Sequence, residues 1–174
     1  MEGPHIYKVD GTYYLLVAEG GTSYNHAVML SASEDIAGPY ESNPRNPILT
    51  HRHLGENVPI TSAGHADLVQ TQHGKWWMVL LGMRPIGKDY APLGRESFLL
   101  PVHWQNDWPV VNPGFGKVTF QSIAPDLPEF KFQLSPQKDH FSTSQLRPEW
   151  VSRRVWPDRY MSLKVRKSFL RLYL

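Results

Sequence analysis

Apolar and polar residues alternate in short runs along most of this chain, and Gly or Pro interrupts almost every run. A period of two over four to eight residues predicts half-buried strands. The first such run is Ile6–Val9, followed by Asp10-Gly11 and then Thr12–Val17. Asp-Gly between two β-rich runs is a two-residue hairpin signal. His26–Ser33 reads as a third strand, and Gly38-Pro39-Tyr40-Glu41 as a turn into a short edge segment. Asn43–Gly64, with three prolines, reads as a long irregular connection. His65–Thr71 and Lys75–Gly82 form a second predicted hairpin around His73-Gly74. Met83–Gly94 is a loop, Arg95–Trp104 a strand, and Asp107–Val111 a turn and an edge.

These two stretches are one unit repeated. Gly11-Thr12-Tyr13-Tyr14-Leu15-Leu16-Val17 lies 63 positions before Gly74-Lys75-Trp76-Trp77-Met78-Val79-Leu80. A hairpin, a third strand and a short outer segment, repeated, predict β-propeller blades. The paired aromatics Tyr13-Tyr14 and Trp76-Trp77 put one ring on each sheet surface, and packing between blades is their expected use. Pro113–Pro136 lacks periodicity and reads as a linker. Tyr160–Val165 and Phe169–Leu174 alternate around Arg166-Lys167-Ser168 and predict a further hairpin with one face meant for burial. The expected organisation is therefore all-β, with propeller blades over 1–112, a linker over 113–136 and a separate β unit over 137–174.

Composition narrows the class. With 174 residues the chain has the length of about one ordinary domain. It has no Cys, which excludes disulfides and thiolate metal sites. No window approaches the ~18 apolar residues of a membrane span, and no basic-then-apolar leader opens the chain, so a cytoplasmic location is expected and no membrane partner. Residues 137–174 carry nine Lys or Arg against three Asp or Glu. Those basic residues are spread among apolar strand positions, which fits a solvated face, and no nucleic-acid partner is expected.

The candidate chemistry sits at the first corner. Glu2-Gly3-Pro4-His5 places a carboxylate directly before the first hairpin, where rigid backbone would hold it still. Alone, it reads more readily as a solvated terminal carboxylate. His65 alone reads as a hydrogen-bonded strand histidine, and Arg95 as an ion-pair partner of Glu96 or another neighbour. His51-Arg52-His53 falls in a loop and is expected to be structural.

Taken in order, five motifs resemble glycoside hydrolase family 43, and most of all its β-xylosidase/α-L-arabinofuranosidase branch. They are Glu2-Gly3-Pro4-His5, Ala18-Glu19-Gly20-Gly21-Thr22, Asn46-Pro47-Ile48-Leu49-Thr50-His51-Arg52, Gly64–Gln70 and Leu93-Gly94-Arg95-Glu96-Ser97-Phe98. The segment from Lys138-Asp139-His140-Phe141 through Trp150 to Leu172 resembles the start of that branch's C-terminal β-sandwich. The resemblance implies about two blades of a five-bladed propeller followed by the first strands of a sandwich. It implies inverting hydrolysis of β-1,4-xylosides or arabinofuranosides, with a xylo-oligosaccharide or arabinoside as substrate and a parent protein able to form homo-oligomers. Glu2 matches the general acid, Arg95 the contact to sugar hydroxyls, and His65 a histidine that supports a central Ca2+ through water. The family's base and its second Asp lie on blades without a counterpart here. An inverting site needs an acid and a base ~6.5–9.5 Å apart, and Asp67, Glu19 and Glu96 do not match that base. The expected state is an inactive or incomplete catalytic site. The other readings are carbohydrate binding without cleavage, and blade pairing through exposed strand edges.

Overall fold

The computed structural model describes every residue except Glu56, Lys88, Asp89, Gln133, Ser135 and Leu174. The chain is all-β and forms two compact units, Met1–Asp126 and Leu127–Leu174. Regular helix among the described residues is limited to one 3-10 turn, Pro157–Arg159, so no helix is long and apolar enough to cross a membrane.

The first unit holds two antiparallel meanders. In the first, β1 (Glu2–Val9), β2 (Thr12–Glu19), β3 (Ala27–Ser33) and β4 (Glu41–Ser42) follow one another in sequence order. A short β5 (Leu49–Thr50) also pairs with β3, inside the connection expected to be irregular. The Asn46 side chain extends that edge, accepting from the Leu30 N–H and donating to its carbonyl. The second meander is β6 (Thr61–Gln70), β7 (Trp76–Met83), β8 (Arg95–Gln105) and β9 (Trp108–Val111). Both residues of the Asp10-Gly11 turn have positive φ, as a hairpin turn that follows strand twist requires. Asn106-Asp107 does the same between β8 and β9.

The strand β6 is longer than its sequence pattern suggests, because two bulges break its alternation. One of them has a twin. In β1, Glu2 pairs with Ala18 and His5 with Leu16, so Gly3 and Pro4 oppose one residue. In β6, Gly64 pairs with Leu81 and Asp67 with Val79, so His65 and Ala66 oppose one residue. Ala18 and Leu81 occupy the same place in the repeat, and Gly3 (φ 55°) and His65 (φ 50°) take the same left-handed conformation. Each blade thus begins with a kinked inner strand.

The two sheets pack face to face. Tyr14, Leu16, Val28 and Leu30 meet Leu68, Met78, Leu80, Leu100 and Val102 in one buried cluster. Residues 113–126 pack with this unit, and Val118 joins the cluster. Polar ties also cross between the sheets. The Tyr14 hydroxyl donates to the Asp107 carbonyl at 2.6 Å. The Tyr7 hydroxyl donates to Asp67 Oδ1 and accepts the Leu68 N–H, both at 2.9 Å. Burial, with the neighbouring Asp67 carboxylate, pushes the Tyr7 phenol up to about 12.

In the second unit, Asp139 accepts from the Phe141 N–H and from Trp150 Nε1, and pairs with Arg147. Those donors hold its carboxyl below the usual range. The expected hairpin is much reduced: Met161–Ser162 (β10) pairs with Arg171–Leu172 (β11), and the residues between form bends. Leu174 lies outside the described residues. Val165 and Phe169 remain exposed, so the apolar face of the alternation is not buried within this unit among the described residues.

Tyr7→Phe removes one donor and one acceptor between β1 and β6. It is expected to cost about 1–3 kcal/mol, and urea denaturation of both proteins measures it. Equal midpoints and slopes would show that this tie does not hold the sheets.

Candidate active site

The kinked ends of β1 and β6 lie against each other. A Cβ on Gly3 would stand 2.8 Å from His65 Nε2. A Cβ on Gly64 would stand 2.6 Å from the His26 ring. Each sheet therefore receives a histidine of the other where it carries no side chain. The two rings meet edge to face, with centroids 6.4 Å apart.

His26 immediately precedes β3 and is 1% exposed. Its Nδ1 stands 3.1 Å from the Ser62 carbonyl, which only accepts, so Nδ1 carries the proton and Nε2 is a bare acceptor. That Nε2 is buried and has no partner among the described residues; neither has Nδ1 of His65. Burial pushes the His26 imidazole down. The Ser62 carbonyl opposes this, His65 adds to it, Glu2 opposes it and Arg95 adds to it. Glu2, His26, His65 and Arg95 thus share one electrostatic neighbourhood.

The pairing register explains why these four converge. Arg95 opens β8 opposite Met83, and Glu96 pairs with Gly82. In the first sheet Ala27 pairs with Glu19, the position matching Gly82. His26 and Arg95 are therefore the same residue of the repeat, one at the start of each third strand. Sequence reasoning did not single out His26. The repeat carried that signal, but its third strands are offset by connections of unequal length, which hid it.

The structure also sorts the neighbouring charges. Glu96 is held by Arg84, with Nε to Oε2 at 2.8 Å, and not by Arg95. That contact holds the Glu96 carboxyl below its usual range. Arg95 is exposed and makes no ion pair or hydrogen bond among the described residues. Glu2 likewise is exposed and unpaired. Glu19 pairs with Arg52 at 3.5 Å. Asp67 takes Tyr7 and His5, the latter at 3.1 Å. So the free acid and the free cation are the two groups that face outward beside the histidine pair, while the nearby carboxylates are engaged elsewhere. His51 is structural: its Nδ1 donates to the Ile60 carbonyl and its Nε2 accepts the Val118 N–H.

Calcium takes six to eight oxygen ligands. Among the described residues no group of three or more His, Asp or Glu could hold a metal. These residues do not make a calcium shell, although the unpartnered Nδ1 of His65 could take a hydrogen bond from water.

Residues 1–109 match the family model for glycosyl hydrolases family 43, and the chain belongs to that family. It is 45% identical to a xylosidase/arabinosidase of Butyrivibrio fibrisolvens, over 99% of this chain and 34% of that protein. It is 41% identical to a non-reducing end α-L-arabinofuranosidase of Bacteroides ovatus, over 98% of this chain and 32% of the other. Among solved structures it resembles a xylan β-1,4-xylosidase of Bacillus halodurans, with a TM-score of 0.89 and 42% identity over 98% of this chain and 33% of that one. The fold is thus part of the family's five-bladed propeller, followed by the first strands of a sandwich. The chain spans about a third of the length of these relatives.

Gly64→Ala drives a methyl into a buried ring that is anchored through Nδ1. The expected cost is about 1–3 kcal/mol, read as a lower melting temperature; an unchanged value would mean that the His26 ring is free to move. The histidines also set a pH dependence. Burial lowers the folded pKa of His26 and of His51 below the ordinary 6.5. Above 6.5 both states are neutral at these positions. As pH falls below it, the unfolded chain binds protons first, and stability declines until the folded pKa values are reached. Chemical denaturation at a series of pH values should show this loss on the acid side of 6.5, and His51→Gln should reduce it.

Proposed function

We propose that the chain carries the acid side of a sugar-cleaving site for β-1,4-xylosides or arabinofuranosides of hemicellulose. The observation behind this is the convergence of exposed Glu2 and Arg95 around buried His26 and half-buried His65. Glu2 would be the general acid, giving its proton to the leaving-group oxygen. Arg95 would hold sugar hydroxyls with the planar fork of donors that a Lys lacks. His65 would bind through water at the sugar or ion side of the site, and no step is assigned to an ion. The general base would come from outside these 174 residues, because Asp67, Glu19 and Glu96 are each committed to other partners.

The chain by itself is then expected to leave aryl xylosides and aryl arabinofuranosides uncleaved. Without a base, water loses an activation commonly worth ~10²–10⁴-fold. Turnover clearly above a Glu2→Ala control would show that a base is present within the chain. The assignment of Glu2 is tested by exchanging this chain for the matching third of the Butyrivibrio relative. In that active hybrid, Glu2→Gln should lose cleavage of substrates with poor leaving groups by ~10²–10⁴-fold. It should retain far more with acidic phenols, which need little protonation. Equal loss on both would overturn the acid role. Arg95→Lys should lower the specificity constant by about 1–3 kcal/mol.

A further inference from the structure

The inner strand β6 is held out of regular geometry through both of its bulges. Ser62 and Ala63 oppose only Gly82, because Thr61 pairs with Met83 and Gly64 with Leu81. The second bulge follows at once, at His65 and Ala66. Ser62 (φ 54°) and His65 (φ 50°) both take the left-handed conformation that a side chain makes costly. Such backbone persists only where its surroundings over-determine it.

His26 supplies that constraint. Its own backbone is tied on both sides: the N–H donates to the Ser23 carbonyl at 3.0 Å, and the carbonyl accepts the Thr50 hydroxyl at 2.8 Å. From this fixed point the ring grips β6 twice. Its Nδ1–H donates to the carbonyl of Ser62, in the first bulge. Its Cδ2, Cγ and Nδ1 lie on Gly64, between the bulges, at 2.6, 2.6 and 2.8 Å from the place a Cβ would take. The next residue, His65, lies in turn across Gly3, where a Cβ would stand 2.8 Å from Nε2, 3.1 Å from Cε1 and 3.4 Å from Cδ2. Gly3 directly follows Glu2, inside the bulge of β1. A path of contacts therefore runs from His26 through Ser62 and Gly64 to His65, and from His65 through Gly3 to Glu2. Every member before Glu2 is buried or half-buried within the chain itself, so further chain around the unit would leave the path in place.

We infer that His26 is a positioning residue for proton donation by Glu2: it holds the kink of β6, the kink seats His65 on Gly3, and that contact fixes the backbone that carries the acid. This role rests on the proposed assignment of Glu2 as the general acid. A proton donor must stand within hydrogen-bond reach of the leaving oxygen, and a misplacement of about 1 Å can cost about 10²-fold. A misplaced acid harms only those substrates that need its proton. Loss of the His26 grip should therefore appear as leaving-group dependence, which a general loosening of the fold would not produce.

The active hybrid described above tests this with an alkyl xyloside, whose leaving group is poor, and a dinitrophenyl xyloside, whose leaving group is good. His26→Ala removes both contacts with β6. It should lower kcat on the alkyl xyloside by about 10–100-fold and change kcat on the dinitrophenyl xyloside by less than about threefold. His26→Asn is the conservative variant. Its Cγ, Oδ1 and Nδ2 stand in for Cγ, Cδ2 and Nδ1, so it keeps the donor to Ser62 and the contact with Gly64 and loses only Cε1 and Nε2. It should bring kcat on the alkyl xyloside back to within about threefold of the wild type. Equal loss on both substrates in His26→Ala would overturn the positioning role. An Asn variant as poor as Ala would overturn it too, because the ring's outer edge rather than its grip on β6 would then be what matters. Glu2→Gln, measured beside them, separates the two claims. If Glu2→Gln discriminates between the substrates and His26→Ala does not, the acid stands and the positioning role falls. If Glu2→Gln does not discriminate, the acid role falls and takes the positioning role with it. Amide hydrogen exchange over residues 61–68 of the 174-residue chain reads the kink without activity: it should be faster in His26→Ala and unchanged in His26→Asn, and equal rates in all three proteins would overturn the grip on β6. If His26→Ala does not fold, His26→Gln takes its place, since its longer side chain fills the space but puts no donor at the Nδ1 position.

Discussion

The close approach of β1 to β6 is the constraint on which the rest of the first unit depends. Two strands can come this near only where side chains are missing, and Gly3 and Gly64 provide those gaps. Each gap is filled by an imidazole from the opposite sheet. The kink that admits His65 also forces it to φ 50°, a conformation that is costly for a residue with a side chain. Packing of two full sheet faces overdetermines that geometry. Strain held in this way, beside two buried ring nitrogens without partners among the described residues, marks the blade ends as a place where the fold gives up stability.

Charge is distributed to the same effect. Arg84 takes Glu96, Arg52 takes Glu19, and Tyr7 with His5 takes Asp67. These contacts are largely exposed, and such pairs contribute little to stability. Their consequence is that these three carboxylates are engaged, while Glu2 and Arg95 stay unpaired among the described residues. His51 shows the opposite use of an imidazole. Both of its nitrogens are satisfied, by a carbonyl and by an amide N–H, so it closes the unit and offers no reactive atom. Two histidines of one chain are told apart by whether their second nitrogen has a partner.

Blade architecture converts a repeated sequence into a directional surface. Because successive blades are related by rotation, the face that one blade buries is the face that the next leaves open. Tyr14 and Trp77 state this most clearly, since they match in the repeat but only Tyr14 finds a hydrogen-bond partner across the interface. The relatives are about three times as long as this chain, so the same faces in those longer proteins have further chain available to cover them.

Local pattern by itself determined the all-β class, both hairpins, the Asp10-Gly11 turn and the repeat, because strand alternation and turn chemistry act over a few residues. The motifs brought Glu2, His65 and Arg95 forward. The short β5 was not legible, since two residues carry no period. Nor were the bulges of β6, since an inserted residue erases the alternation that would reveal it. The hairpin expected near the end of the chain had the right pattern, but little of it formed, because alternation stabilises a strand only where another layer buries its apolar face. Tertiary structure alone decided that His26 stands beside His65, that Arg84 rather than Arg95 takes Glu96, and that Asp67 is a tie between strands. Those outcomes depend on register and on which backbones approach within a side chain's width. Such distances are set by the packing of whole sheets and are not encoded in any one stretch of residues.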